Sequence, residues 1–336
     1  MNQEISLVIT SISPANEVLL CFSQECSARN IRFIVVGDKK SPLDFSIVGC
    51  DFLPFGQQSE LGFRLARSLP VNHYSRKNLG YLMAMRSGSE IIFETDDDNF
   101  PKAGFFDIKQ VNRNVNMYHG TDWFNVYRYF SKEHLWPRGY PLERVMEPVP
   151  PPEYFHEEPA LCPIHQGMAD GAPDVDAIFR LTRPEQVVFG HHPDVAPGNN
   201  VWCPFNSQNT VWYKQAFMLM YLPSTCSFRM TDIWRSFIAQ RIAWTCGWNI
   251  LFRESTVIQQ RNPHALMHDF KDEIPGYLNN FQIAESLSAL KLDPGTPSMA
   301  SNMLKCYEVF VSMGLMLPLE LQMVSDWIAD VSDELF

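Results

Sequence analysis

The chain has 336 residues, 46% of them hydrophobic, and a formal net charge of -11, enough apolar material for one large domain or two ordinary ones with substantial cores. The acidic balance excludes a protein whose main task is to coat nucleic acid or an anionic membrane, yet leaves room for a local basic cleft and small anionic ligands. Eight cysteines without a CxxC pair exclude a zinc knuckle and a small disulfide framework.

No stretch reaches the roughly 18 consecutive apolar residues of a membrane span, and the start lacks the basic, apolar character of a signal peptide. The expectation is a cytoplasmic chain, or one separated from its targeting segment. Ser6 to Thr10 is a compact apolar run that turns polar at Thr10, a helix-like segment follows to about Arg29, and Ile31 to Val36 forms a second run that stops at Gly37-Asp38-Lys39-Lys40. Strand, helix, strand is the signature of a parallel α/β sheet, whose ligand crevice lies at the carboxyl ends of the strands. Thr10, Asp38 and Lys39 therefore belong on one rim.

A helical segment is expected around Gln57 to Ser68, then a second helix capped by Ser75 with Leu79, Leu82 and Met83 on its apolar face. Arg76 and Lys77 fall in its first turn, where cations oppose the helix dipole and suit a bound phosphate. That helix feeds Ile91-Ile92-Phe93-Glu94-Thr95-Asp96-Asp97-Asp98-Asn99. A β-branched run that ends in three aspartates delivers mutually repelling carboxylates to a sheet edge, which suits a divalent metal held by oxygen ligands. A solvated acidic turn is the plainer alternative.

From 101 to 170 the chain is rich in aromatics and prolines, and the run from Val145 to about Met168 reads as an ordered, meandering loop rather than a domain linker. An amide-rich turn, Asn206 to Thr210, enters another strand, and Thr231 or Asp232 caps a helix, where the Trp234 and Arg235 that follow suggest a pocket role for Asp232. His264 and His268 are spaced i, i+4, but without the glutamate of a HExxH motif the zinc-protease reading fails. From about Ile274 to the end the pattern is helical packing.

These segments in order (Thr10, Val35 to Lys40, Tyr74 to Tyr81, Glu94 to Asn99, Trp136 to Gly139, Asp174 to Ile178, Asn206 to Thr210, Asp232 to Arg235) resemble the STELLO-type glycosyltransferase-like family from about residue 5 to about 270. The resemblance implies an α/β fold of the glycosyltransferase A type, a Rossmann-like mixed sheet flanked by helices. Residues 1–270 would form the nucleotide-sugar domain and residues 271–336 a helical extension packed on it.

It also implies a DXD motif in which Asp96 and Asp98 hold Mn²⁺ or Mg²⁺ with a histidine, His264 before His268. Thr10, Asp38, Lys39, Arg76, Lys77, Asp96 and Asp97 would meet the nucleotide, and Asp232 would be a general base or positioning carboxylate. The implied partners are a nucleotide diphosphate sugar, expected to be UDP-linked, and an acceptor of unknown identity, in a chain free to oligomerise. A nucleotide-sugar mutase, similar to reversibly glycosylated plant polypeptides, and a scaffold without turnover remain as alternatives.

Overall fold

The computed structural model describes residues 4–183, 186–261 and 265–335. The first half runs β1 (Ile5–Thr10), α1 (Glu17–Arg29), β2 (Arg32–Val36), β3 (Cys50–Leu53), α2 (Phe55–Gln58), α3 (Lys77–Arg86), β4 (Ile91–Thr95), β5 (Asn99–Pro101), β6 (Asn112–Tyr118) and α4 (Val126–Phe130). The second runs β7 (Phe155–Leu161), β8 (Ile164–Gly171), α5 (Ala177–Thr182), β9 (Val195–Pro197), β10 (Asn209–Tyr213), α6 (Thr231–Thr245), β11 (Ile250–Gln259), α7 (Leu266–Ala289), α8 (Met299–Ser312) and α9 (Leu319–Leu335).

One mixed sheet carries these strands in the order β3-β2-β1-β4-β10-β8-β11-β9-β6-β7, with β5 paired to β11. The section β3-β2-β1-β4 is parallel, β10 is antiparallel to both β4 and β8, and β8 and β11 are parallel. It is the helix-flanked mixed sheet with C-terminal helices expected of a glycosyltransferase A-type fold.

Continuous apolar runs are needed where a strand is covered on both faces. Side chains alternate across a strand, so Val8, Ile34 and Ile92 enter the larger core with Leu79 and Leu82 of α3. Leu7, Ile9, Phe33 and Phe93 enter the opposite core with Leu19 and Phe22 of α1. Gly80 makes the α3 contact close: a Cβ there would lie 2.5 Å from Val8 Cγ1 and 2.7 Å from Val36 Cγ2.

A buried ion pair ties β4 to α6. Arg235 Nη2 lies 2.8 Å from Glu94 Oε1, and both side chains are almost wholly excluded from solvent. Trp212 Nε1 donates to Glu94 Oε1 at 2.7 Å, and Tyr81 Oη donates to Glu94 Oε2. Arg235 is thus a core residue rather than a pocket residue. Trp234 is buried beside it, donating from Nε1 to Asn280 Oδ1 at 3.0 Å.

The C-terminal helices join the larger core through Tyr307, Phe310, Val324 and Trp327. Buried Glu320 accepts from Tyr221 Oη at 2.6 Å and from the Thr225 N–H at 2.7 Å. The boundary drawn between residues 270 and 271 falls inside α7. Between Gln57 and Ser68 the chain forms the short α2 and two 3-10 turns instead of one helix. No helix of the described residues is long and apolar enough to cross a membrane.

Candidate functional site

The strand directions bring six chain segments to one edge of the sheet. β1, β2 and β4 exit there, β10 enters there, and β8 and β11 exit there. Between them lies a cavity of ≈ 450 Å³. Thr10, Asp38, Arg76, Asp96, Asp97, Asp98 and Asp232 all line it, so seven of the residues singled out in the sequence share one space.

The three aspartates fan apart. Asp96 Oδ1 accepts from Tyr74 Oη at 2.7 Å, and Lys77 Nζ lies 3.3 Å away. Asp97 Oδ2 accepts from Ser11 Oγ at 2.5 Å, and its carbonyl accepts from Asn16 Nδ2 at 2.9 Å. Asn16 also caps α1 by accepting from the Leu19 N–H, so that helix start is fastened to the acidic turn. Asp98 accepts from Gln259 Nε2 at 3.2 and 3.1 Å, and its carbonyl accepts from the Gln260 N–H at 2.9 Å. β5 carries the chain onward to β11, which explains why the last aspartate reaches a strand so distant from β4.

Hard oxygen donors of this kind suit Mg²⁺ or Mn²⁺. Among the described residues no three His, Cys, Asp or Glu side chains are gathered closely enough to hold a metal by themselves. Beside Asp98, however, Gln259 Oε1 is buried and accepts no hydrogen bond, an exception to the rule that buried acceptors are satisfied. An oxygen so placed next to carboxylates fits a cation, with water and phosphate oxygens free to complete its shell. His264 lies outside the described residues. His268 is exposed on α7, paired with Asp272 at 3.3 Å, and is not part of the cavity wall.

Arg76 and Lys77 depart from expectation. The helix begins at Lys77, preceded by a 3-10 turn over Tyr74–Arg76 that His73, not Ser75, caps. That turn rotates Lys77 Nζ inward, where it is fully buried and donates to Thr95 O and Tyr74 Oη, both at 2.7 Å. Arg76 reaches the wall, but its guanidinium is engaged by Gln58 Oε1 at 2.7 Å and the carbonyls of Leu69 and Pro70 at 3.1 Å. Lys77 is thus withdrawn from the cavity, whereas Arg76 stays on its wall. Lys40, not Lys39, faces the cavity.

Asp38 accepts from the His73 N–H at 3.0 Å and the Lys39 N–H at 2.6 Å. Burial holds the His73 imidazole down to about 4 despite the opposing pull of Asp38, so the ring is neutral near pH 7. Asp232, in the first turn of α6 rather than at its cap, accepts from Arg138 Nη2 at 3.1 Å and from Ser207 N–H and Oγ at 3.2 and 3.1 Å. Burial pushes the Asp232 carboxyl up, but Arg138, Arg235 and the Ser207 N–H together hold it below the usual carboxylate range. An anion so stabilised positions a ligand better than it takes a proton.

Comparison with known proteins now bears on this geometry. The model of the STELLO glycosyltransferases matches residues 229–336. Probable glycosyltransferase STELLO2 of Arabidopsis thaliana is 28% identical over 318 residues, covering 89% of this chain. The chain is a relative of the STELLO glycosyltransferases. Probable glycosyltransferase STELLO1 of the same plant is 32% identical over 239 residues, 65% of this chain. The matches span 41% and 31% of the two STELLO proteins' own lengths. The stretch shared with the STELLO model includes Arg229, Asp232 and Arg261 and runs through the C-terminal helices.

Sequence reasoning missed several residues of the wall: Tyr74, Arg138, Arg180, Ser207, Arg229 and Arg261. Arg138 stood in a quoted segment without a role, although a lone arginine before glycine among aromatics is a signal of a kind. Gly139 has φ 92°, and a Cβ on it would lie 2.4 Å from Ile233 Cγ2. That close approach to α6 brings Arg138 to Asp232.

Proposed function

We propose that the chain is a metal-dependent glycosyltransferase that takes a sugar from a nucleotide diphosphate sugar, UDP-linked, and passes it to an acceptor. The observation that carries this reading is the convergence of Asp38, Asp96, Asp97, Asp98 and Asp232 on one cavity at the sheet edge, in a relative of glycosyltransferases. Thr10 and Asp38 would meet the base and ribose at the exits of β1 and β2.

Asp96, Asp98 and Gln259 Oε1 would hold Mn²⁺ or Mg²⁺, with His264 as the nitrogen donor of the set. When bound, the cation supplies charge neutralisation to a diphosphate. The chain's own part is mainly electrostatic and positional. Lys77 and Tyr74 fix the Asp96 carboxylate, Ser11 fixes Asp97, and Arg138 with Ser207 holds Asp232 ionised where the sugar or the acceptor hydroxyl would lie.

Calorimetric titration with UDP, with and without Mn²⁺, tests the reading. Binding that needs the metal supports it, and absence of nucleotide binding under both conditions contradicts it. A UDP-sugar incubated without acceptor and returned with its ring form changed would assign a mutase instead.

A further inference from the structure

Of the cations expected at α3, Lys77 is turned inward and Arg76 reaches the wall with its guanidinium engaged by Gln58 and two carbonyls, and further cations face the cavity from elsewhere. Arg180 stands on α5, Arg229 just before α6 and Arg261 just after β11, and all three line the wall around Asp174. Two are matched: Arg229 by Glu273 at 2.9 Å and Arg261 by Asp269 at 2.5 Å. Asp174 is committed to Arg138, which it meets with both oxygens at 2.8 and 2.7 Å.

Arg180 is different. Among the described residues no carboxylate lies within ion-pairing distance of it. Its Nη2 donates only to the carbonyls of Pro173 at 2.5 Å and Ala172 at 3.4 Å, and its buried Nε donates to nothing. Burial, then the adjacent charge of Arg261, brings its pKa down to about 10 despite Asp174, and Arg229 adds to the effect. A guanidinium with an idle donor, crowded by two others, is short of a counterion.

The side chain is held in place from behind. Asp176 caps α5 by accepting from the Phe179 N–H at 2.8 Å, and buried Glu273 accepts from the Ala177 N–H at 2.7 Å while pairing Arg229.

Linked contacts locate the cluster relative to the other groups. From Asp38 and His73 they run through Tyr74 to Asp96 and Ser207, on to Asp232, then Arg138, then Asp174 and the arginines. A donor with its ribose at Asp38 and its diphosphate at the aspartates leaves Arg180 and Arg229 beyond Asp232, and Arg261, two residues after the Gln259 that meets Asp98, joins them from the β11 side. We propose that Arg180, Arg229 and Arg261 form a subsite for an anionic group, a carboxylate or a phosphate, on the second substrate. The words "second substrate" rest on the glycosyltransferase reading; the anion site itself does not.

The test is calorimetric titration of the UDP-loaded protein with glucuronate, glucose 6-phosphate and glucose. At least one anionic sugar is expected to bind roughly tenfold or more tighter than glucose, as charge-assisted bonds predict. The stronger of the two identifies carboxylate or phosphate. Arg180→Gln is expected to lose that preference while keeping UDP affinity, and Arg261→Gln provides a second variant should the first melt early.

Equal binding of glucose, no binding of either anionic sugar, or a variant that loses UDP affinity instead would each overturn the proposal, the last by assigning the arginines to the donor diphosphate. Failure of the wild-type protein to bind UDP would overturn the donor reading alone. The anionic sugars are then titrated on the free protein with the same criteria.

Discussion

The two halves of the cavity rim are built differently. On the β2-β1-β4 side, parallel strands end in short polar exits, and each functional group follows its strand within a few residues: Thr10, Asp38, Asp96 to Asp98. On the β10-β8-β11 side the wall is assembled from loops and helix starts far apart in sequence: Arg138, Asp174, Arg180, Ser207, Arg229, Asp232 and Arg261. The first half is acidic and the second carries four arginines. Local chemistry can be placed by strand pattern alone in the first, whereas tertiary contacts decide it in the second.

Glu94 and Arg235, one on each side of the divide, form a buried ion pair that joins the halves. Arg235→Met leaves Glu94 buried without its counterion and is expected to cost about 3–5 kcal/mol, read as a lowered midpoint in urea denaturation at unchanged slope. A loss within experimental error would show that the halves are held together by other contacts.

The parallel half is sharpened by Gly80→Ala. The added Cβ would press on Val8 and Val36, and overpacking of that kind costs about 1–3 kcal/mol. A fully stable variant would mean that α3 can shift from the sheet without consequence.

A smaller effect concerns the second half and depends on pH. His165 on β8 is buried, and burial followed by repulsion from Arg253 brings its pKa down to about 3. The folded state therefore resists a proton that the unfolded chain accepts near 6.5. The stability this group contributes is fully present above about pH 6.5 and is lost progressively as the pH falls toward 3. Compared with His165→Phe, the wild-type protein should lose roughly 1–3 kcal/mol more between pH 7 and pH 4. Parallel pH profiles would contradict that assignment.

The same contrast explains what was legible in the sequence. The run Ile91 to Thr95 is buried throughout, and its abrupt passage into aspartates marks a sheet edge without any knowledge of the neighbouring strands. Lys77 was not legible, because periodicity places it at a helix start but does not say that a preceding 3-10 turn swings the ammonium beneath Asp96. Asp232, followed by Trp234 and Arg235, read as part of a pocket and does line the cavity, whereas the Arg235 side chain passes into the core to meet Glu94.

Asp232 was visible as an acid beginning a helix. Its anchoring by Arg138, 94 residues earlier, was not. Arg180 and Arg261 carry no local pattern at all, and their meeting depends on α5 and the exit of β11 converging on Asp174.

The aspartate turn is proposed to hold a metal that serves a nucleotide diphosphate. Asp98→Asn keeps the shape of the side chain and removes its charge, so UDP affinity measured with and without Mn²⁺ on both proteins tests that claim directly. Mn²⁺ is expected to strengthen UDP binding to the wild-type protein at least roughly tenfold and to leave binding to the variant unchanged. Equal enhancement by Mn²⁺ in both proteins would contradict the claim.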